Sequence, residues 1–159
     1  MLHFGSPENR LEALLSGGVS AAMLMEPYIS LAEKNGCRSV CEGHYLGAEN
    51  ASDNMDETTF AAINQAVAKA VDLINSDKKR FIHYLLDDPK FAPVLKKWGP
   101  LTADDFILSR LRYTHPTPYT DEQIEDTYNW MVRWGLLNAS VCAADFVDNR
   151  DGEPIAADD

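Results

Sequence analysis

Apolar residues recur at helical spacing along residues 58–75, the most regular segment of this chain. They are Phe60, Ile63, Val67, Ala70 and Ile74. A repeat of three to four residues places such side chains on one face of a helix. The pattern predicts a continuous helix over 58–75 with Phe60, Ile63 and Val67 buried.

A second periodic segment, residues 121–134, follows a local start signal. Thr120 and Gln123 have the spacing of a capping box, in which each side chain bonds the backbone N–H of the other residue. The apolar positions that follow are Ile124, Tyr128, Met131 and Val132. We predict a helix here with Ile124, Tyr128 and Met131 buried.

The N-terminal part begins with a predicted helix. Ser6 is a good helix cap and Pro7 suits the first helical position, where no N–H is needed. Glycines at 17 and 18 end this helix.

Two short strands are predicted on either side of a second helix. Residues 19–25 are apolar and follow a glycine pair, which is typical of a buried strand. Pro27 ends this strand and starts a helix that runs to Gly36, and residues 38–41 form the second strand.

The middle of the chain is predicted to be a loop followed by shorter helices. Residues 42–55 are polar and glycine-containing, as in a hinge or crossover loop. Asp77 caps a helix with one face formed by Phe81, Tyr84 and Leu85. Thr102 caps a further helix that ends at Leu111. These elements together predict an α/β fold dominated by about six helices, with two short strands.

Composition narrows the classes of function. Of the 159 residues, 45% are hydrophobic and 25% are charged, as in a single globular domain. The net charge is −11, and the few basic residues are scattered among acids, which excludes a nucleic-acid footprint. No apolar run reaches the length of a membrane span, and the N-terminus lacks a signal-peptide pattern.

Residues with the chemistry of metal ligands or catalysts are few and dispersed. Cys37, Cys41 and His44 offer three ligands, whereas a zinc site usually needs a fourth. We predict no metal, free thiols in and beside the second strand, and a buried inert thiol at Cys142. The histidines are isolated from one another, and phosphate-loop, nucleophile-elbow and HExxH motifs are absent. We therefore predict no catalytic residue.

Glu26 and Tyr28 are the strongest candidates for ligand contact. A carboxylate directly after a buried strand lies where α/β folds bind ligands, and Tyr28 offers a ring and a hydroxyl. The alternative is that Glu26 only complements the positive end of the following helix. Similarly, Trp130 and Trp134 either line an aromatic cleft or, as the sequence favours, pack their helix on a core.

Two groups of motifs, taken in order, resemble one protein family. The first runs from SPENRLEAL at 6–14 through Gly17 to AAMLMEPY at 21–28. The second runs from YTDEQ at 119–123 through YNWM at 128–131 to GLL at 135–137. Together they are similar to the C-terminal part of the solute-binding proteins of ABC importers, in the nitrate, sulfonate and thiamine-precursor branch. The similarity extends from about residue 6 to residue 137.

The resemblance implies a partial type II periplasmic-binding-protein-like fold. Residues 1–48 would be a second-lobe-like helix and strand segment, and 49–55 the hinge or crossover. Residues 56–148 would be a helical C-terminal segment, followed by a disordered acidic tail over 149–159.

The implied function is binding of a small organic or anionic solute and its delivery to an ABC permease, with no cofactor and no covalent chemistry. The ligand-binding residues would be Glu26, Tyr28 and Ser20, the last standing where the family has Asp. The location would be the periplasm or cell envelope; since no signal peptide is present, it would be the cytoplasm if the gene is complete. A related thiamine-pyrimidine synthase would need a particular histidine and a cysteine-rich motif, which cannot be located in this sequence.

The resemblance implies that the N-terminal part of the family's fold, which supplies some of the ligand contacts, is missing from this sequence. We therefore expect the chain to self-associate or to pair with a partner chain that completes the fold. The alternative function is a non-catalytic interaction or regulatory module derived from that fold and acting through the same kind of pairing.

Overall fold

The computed structural model describes residues 5–44, 47 and 54–142. Helices dominate these residues. They are α1 (Pro7–Leu15), α2 (Tyr28–Lys34), α3 (Glu57–Ser76), α4 (Lys78–Phe81), α5 (His83–Leu86), α6 (Ala92–Trp98) and α7 (Asp121–Arg133). Two short 3₁₀ turns, Ala103–Asp105 and Leu108–Arg110, lie between α6 and α7.

The chain packs as two compact units. Unit 1 holds residues 5–44, 47 and 71–113, and unit 2 holds residues 54–70 and 114–142. Packing therefore groups residues that are far apart in sequence. The linear division at 48 and 56 stays a prediction.

Unit 1 has a hydrophobic core that draws on α1, α2 and the segments between and after the later short helices. Its buried members are Leu11, Tyr28, Leu31, Ala32, Ile82, Phe91, Leu101, Phe106 and Leu111. Helix α1 packs on α2, and α2 packs on the first 3₁₀ turn. The core thus brings residues 11–32 and 82–111 together.

Local signals explain where α1 and α2 begin and end. The Ser6 hydroxyl accepts a hydrogen bond from the backbone N–H of Asn9 at 3.3 Å, as a helix cap should. Gly17 and Gly36, just past the two helix ends, have φ of 77° and 87°, which glycine adopts without strain.

Unit 2 contains the first part of α3 and all of α7. Asp56 caps α3 by accepting a hydrogen bond from Thr59 N at 2.9 Å. The capping box is present at α7: Thr120 N donates to Gln123 Oε1 at 2.9 Å, and Gln123 N donates to Thr120 Oγ1 at 3.2 Å. These caps fix the starts of the two longest helices.

The two long helices are confirmed, but the predicted burial of their apolar faces is not. Ile63 is 40% exposed, and the other five residues predicted to be buried are only half-buried. In α3 the buried residues are instead Ala68 and Val71. The periodicity identified each helix correctly and overstated how deeply it is covered.

The two predicted strands are absent from the described residues. Within the described residues there is no β-strand, so 19–25 and 38–41 are not paired in a sheet. A strand is stable only with neighbours that share its backbone hydrogen bonds, and none is present in this part of the chain. The structure is therefore helix-rich rather than visibly α/β.

Two shorter predictions also change. The helix expected from Thr102 to Leu111 is instead the pair of 3₁₀ turns. The helix predicted from Asp77 is split into α4 and α5; Phe81 and Tyr84 stack with ring centroids 6.4 Å apart, and Ile82 between the two helices is buried.

Some predictions fall outside the described residues. Residues 49–53 of the predicted hinge and the whole predicted tail, 149–159, belong to this group. Among the helices that are described, none is both long and apolar enough to cross a membrane.

Candidate functional site

Glu26 lies at the start of α2 with its carboxylate turned into unit 1. Its Oε2 accepts a hydrogen bond from Ser30 N at 3.1 Å, which satisfies a donor in the first turn of α2. The prediction that Glu26 complements the start of this helix is confirmed. Its Oε1 is buried without a hydrogen-bond partner among the described residues.

Arg110, from the second 3₁₀ turn, brings a half-buried positive charge close to Glu26. Its side chain is 11% exposed, and Nη1 lies 3.8 Å from Glu26 Oε1. The guanidinium binds Glu33 of α2 through both terminal nitrogens, at 2.8 and 2.9 Å. Its Nε donates to Glu42 Oε1 at 2.9 Å. A fork-to-fork pair of this kind fixes both position and orientation.

The electrostatics of this group follow from those hydrogen bonds. The bonds to Glu33 raise the pKa of Arg110, and in turn Arg110 lowers the pKa of Glu33. One guanidinium faces the carboxylates of Glu26, Glu33 and Glu42, so acids outnumber bases. The cluster therefore carries net negative charge.

Ser30 adds a second buried polar atom without a partner. The residue is 1% exposed, and its hydroxyl has no hydrogen-bond partner among the described residues. Buried polar atoms are nearly always satisfied, so each exception needs a reason. Glu26 Oε1 accepts hydrogen bonds only, and the Ser30 hydroxyl accepts and donates. Glu26 Oε1 therefore suits a group that donates a hydrogen bond.

Tyr28, the second predicted contact, is committed to the interior of unit 1. Its ring meets Phe91 edge-on, with centroids 5.2 Å apart and planes at 88°. Its hydroxyl donates a hydrogen bond to the Glu8 carboxylate. Burial and this hydrogen bond raise the pKa of Tyr28, and the same bond lowers the pKa of Glu8. The structure thus gives Tyr28 a packing role between α1 and α2.

Ser20, the third predicted contact, is exposed at a bend. Within the described part of the chain, no hydrogen bond joins it to Glu26 or Tyr28. Of the three predicted residues, only Glu26 lies in the polar cluster.

The cysteines and tryptophans are placed differently from some expectations. Cys37 is half-buried, whereas Cys41 and Cys142 are exposed, so the prediction of a buried thiol at Cys142 is wrong. The described residues contain no group of metal-binding side chains. Trp130 and Trp134 are 56% and 65% exposed with ring centroids 6.3 Å apart, so they do not pack α7 on a core in the described residues.

Two hollows of unit 1 lie away from Glu26. One, of about 440 Å³, is lined by residues 75–79 with Leu108 and Ser109. The other, of about 200 Å³, is mainly apolar and is lined by residues that include Ile74, Phe81, Ile82, Leu111 and Tyr113. Neither borders the polar cluster.

Sequence reasoning missed Ser30, Glu33 and Arg110. A signal for the first two was present, because they follow Glu26 by four and seven residues, the spacing of one helix face. Arg110 is some eighty residues further along the chain, and no local pattern connects it to α2.

The chain was compared with protein-family models, with curated proteins and with solved structures, and none of these comparisons gives a significant match.

Proposed function

We propose that this chain is a solute-binding-protein-like domain of an ABC importer, with Glu26 as its ligand contact. The observation that carries the proposal is the unsatisfied Glu26 Oε1, buried beside Arg110 and at the start of α2. Glu26 also lies at the position of the Glu-Pro pair in the pattern that resembles the family. In this proposal the chain has a partial type II periplasmic-binding-protein-like fold and delivers its solute to a permease.

The charge of the cluster supports a particular class of solute. Arg110 already directs three nitrogens at carboxylates, so it has little capacity left for a sulfonate or nitrate. The surplus of carboxylates repels anions and attracts cations or hydrogen-bond donors. Among the solutes of the branch, this favours the thiamine-precursor class, whose pyrimidine carries an amino group.

Calorimetric titration of the purified chain tests the proposal. We expect an aminopyrimidine to bind and taurine and nitrate not to bind. Glu26→Gln should weaken binding at least tenfold, because the amide loses the charge and half of the acceptor capacity. Glu125→Gln, an exposed change on α7, is the matched control and should bind as the wild type does.

Three results would count against the proposal. They are binding of sulfonate or nitrate in preference to the aminopyrimidine, binding that Glu26→Gln leaves unchanged, and no binding of any of these solutes at millimolar concentration. Circular dichroism of each variant shows whether a loss of binding reflects a loss of fold.

The alternative, a non-catalytic interaction module, is favoured by a different observation. Backbone groups of residues 22 and 24 have no hydrogen-bond partner among the described residues.

A further inference from the structure

Residues 21–25 alternate in exposure as a β-strand does. Ala21, Met23 and Met25 are exposed, and Ala22 and Leu24 are half-buried. Leu24 packs against the core of unit 1. A period of two is the signature of an extended chain with one face covered, and no turn or bend interrupts these residues.

The two sides of this backbone segment differ in their hydrogen bonds: one side has two carbonyls engaged, and the other has none of its groups engaged by a described residue. In an extended chain, successive residues direct their N–H and C=O groups to opposite sides. On the side of residues 21, 23 and 25, Arg10 Nη1 donates to Met23 O at 3.2 Å, and Tyr28 N donates to Met25 O at 2.8 Å. On the other side, the N–H and C=O groups of Ala22 and Leu24 bond to no described residue.

Residues 17–25 carry no charge or proline that would oppose pairing with another strand. Natural edges are usually protected by charges, prolines or bulges. The exposed face presents Met23, which is 79% exposed, next to the open groups.

We propose that a second copy of this chain covers the edge, forming an antiparallel strand pair about a two-fold axis at Met23. The open groups are arranged symmetrically, one residue on each side of Met23. In such a pair Ala22 faces Leu24 of the other copy and Leu24 faces Ala22, and each pair exchanges both N–H···O=C bonds. The same patch serves both copies, as a two-fold interface requires.

The side chains fit this register. Met23 meets its own counterpart in the non-hydrogen-bonded position, where Cα atoms are about 4.5 Å apart and side chains are closest. Two exposed thioether side chains are thus removed from water together. The pairing uses no residue of the Glu26 cluster, so it holds whether or not solute binding is retained.

A cysteine placed on the two-fold axis tests the register directly. In a background with Cys37, Cys41 and Cys142 changed to Ser, we expect Met23→Cys to form a disulfide-linked dimer under mild oxidation. The Cα separation at this position lies within the range that a disulfide spans. Ala21→Cys is the matched control: it lies on the same exposed face, but the two copies of residue 21 are about 14 Å apart in this register. It should stay monomeric on a non-reducing gel.

A charge on the axis gives a second test without cross-linking. Met23→Glu places two carboxylates in direct opposition, and light scattering should show the dimer of the wild type become a monomer at the same concentration. Val40→Glu, at another exposed apolar position, should remain dimeric.

Three results would overturn the proposed dimer. A monomeric wild type at micromolar concentration, or equal cross-linking of the Ala21→Cys and Met23→Cys variants, overturns the proposal. So does a Met23→Glu variant that stays dimeric. Calorimetry with the aminopyrimidine reports on solute binding independently, so failure of one proposal is distinguishable from failure of the other.

Discussion

Arg110 is the residue on which the polar interior of unit 1 depends. Replacing it with Met removes the partner of Glu33 and leaves Glu26 near no described positive charge. Removing one partner of a half-buried bidentate ion pair costs about 2 kcal/mol, because the remaining carboxylate is only partly solvated. We expect Arg110→Met to lower the free energy of unfolding by about that amount in urea denaturation.

Arg112→Met is the control for this change. It lies two residues further on and is exposed. Its effect should stay within about 0.5 kcal/mol. Equal effects of the two variants would show that the Arg110 cluster contributes no specific stability.

Glu33 gives the stability of the fold a defined dependence on pH. Arg110 holds the pKa of Glu33 below its ordinary value, so near that value the unfolded chain binds more protons than the folded one. The resulting stabilisation is complete above the unfolded pKa of about 4.3 and is lost as the pH falls through the folded pKa.

The free energy of unfolding of Glu33→Gln, compared with that of the wild type across pH, tests this dependence. This variant should be less stable than the wild type at pH 7, and the difference should shrink as the pH falls below 4. Glu125→Gln should follow the wild-type curve. Stability differences that stay constant from pH 7 to pH 3 would rule out the Glu33 carboxylate as their source.

Neighbouring residues in the sequence predict some contacts of the candidate site and not others. The role of Glu26 at the start of α2 was predictable, because the helix start follows from Pro27 beside it. The engagement of Tyr28 with Glu8 and Phe91 was not, since those partners come from elements whose packing no local pattern encodes.

At the scale of elements, the start of α7 depends on its capping box. Thr120→Ala removes the acceptor for Gln123 N and should destabilise the helix by about 1 kcal/mol. Amide hydrogen exchange within α7 should become about fivefold faster. Thr127→Ala, on an exposed turn of the same helix, should slow the exchange, because alanine is the better helix former. Slower exchange in Thr120→Ala would show that the cap is not formed in solution.

Elements set by local signals were predictable, and those set by distant partners were not. Helices α3 and α7 follow from periodicity and caps within their own sequence. The apolar segment 19–25 has the composition of a strand but no strand beside it in the described residues. Between Thr102 and Leu111, Asp105 bonds back to Thr102 N at 2.7 Å, and the chain makes separate 3₁₀ turns instead of a longer helix.

At the scale of the whole molecule, net charge decides how salt acts on the proposed dimer. Each copy carries −11, so two copies repel at long range. The proposed contact itself uses backbone groups and Met23, with no charged residue between 17 and 25. Added salt therefore screens the repulsion between the two copies and weakens no ion pair within residues 17–25. Since the screening length falls from about 30 Å at 0.01 M to about 10 Å at 0.1 M, added salt should strengthen association.

Sedimentation equilibrium at 0.01 M and 0.3 M sodium chloride measures this effect. We expect the dimer dissociation constant to fall with salt, by several-fold, and the Met23→Glu variant to remain monomeric at 0.01 M. Dissociation that increases with salt would mean that ion pairs hold the copies together. Such a result would place the interface elsewhere on the charged surface of the chain, because residues 17–25 contain no charged side chain and Arg10, which contacts Met23 O, lies on the edge away from the proposed partner.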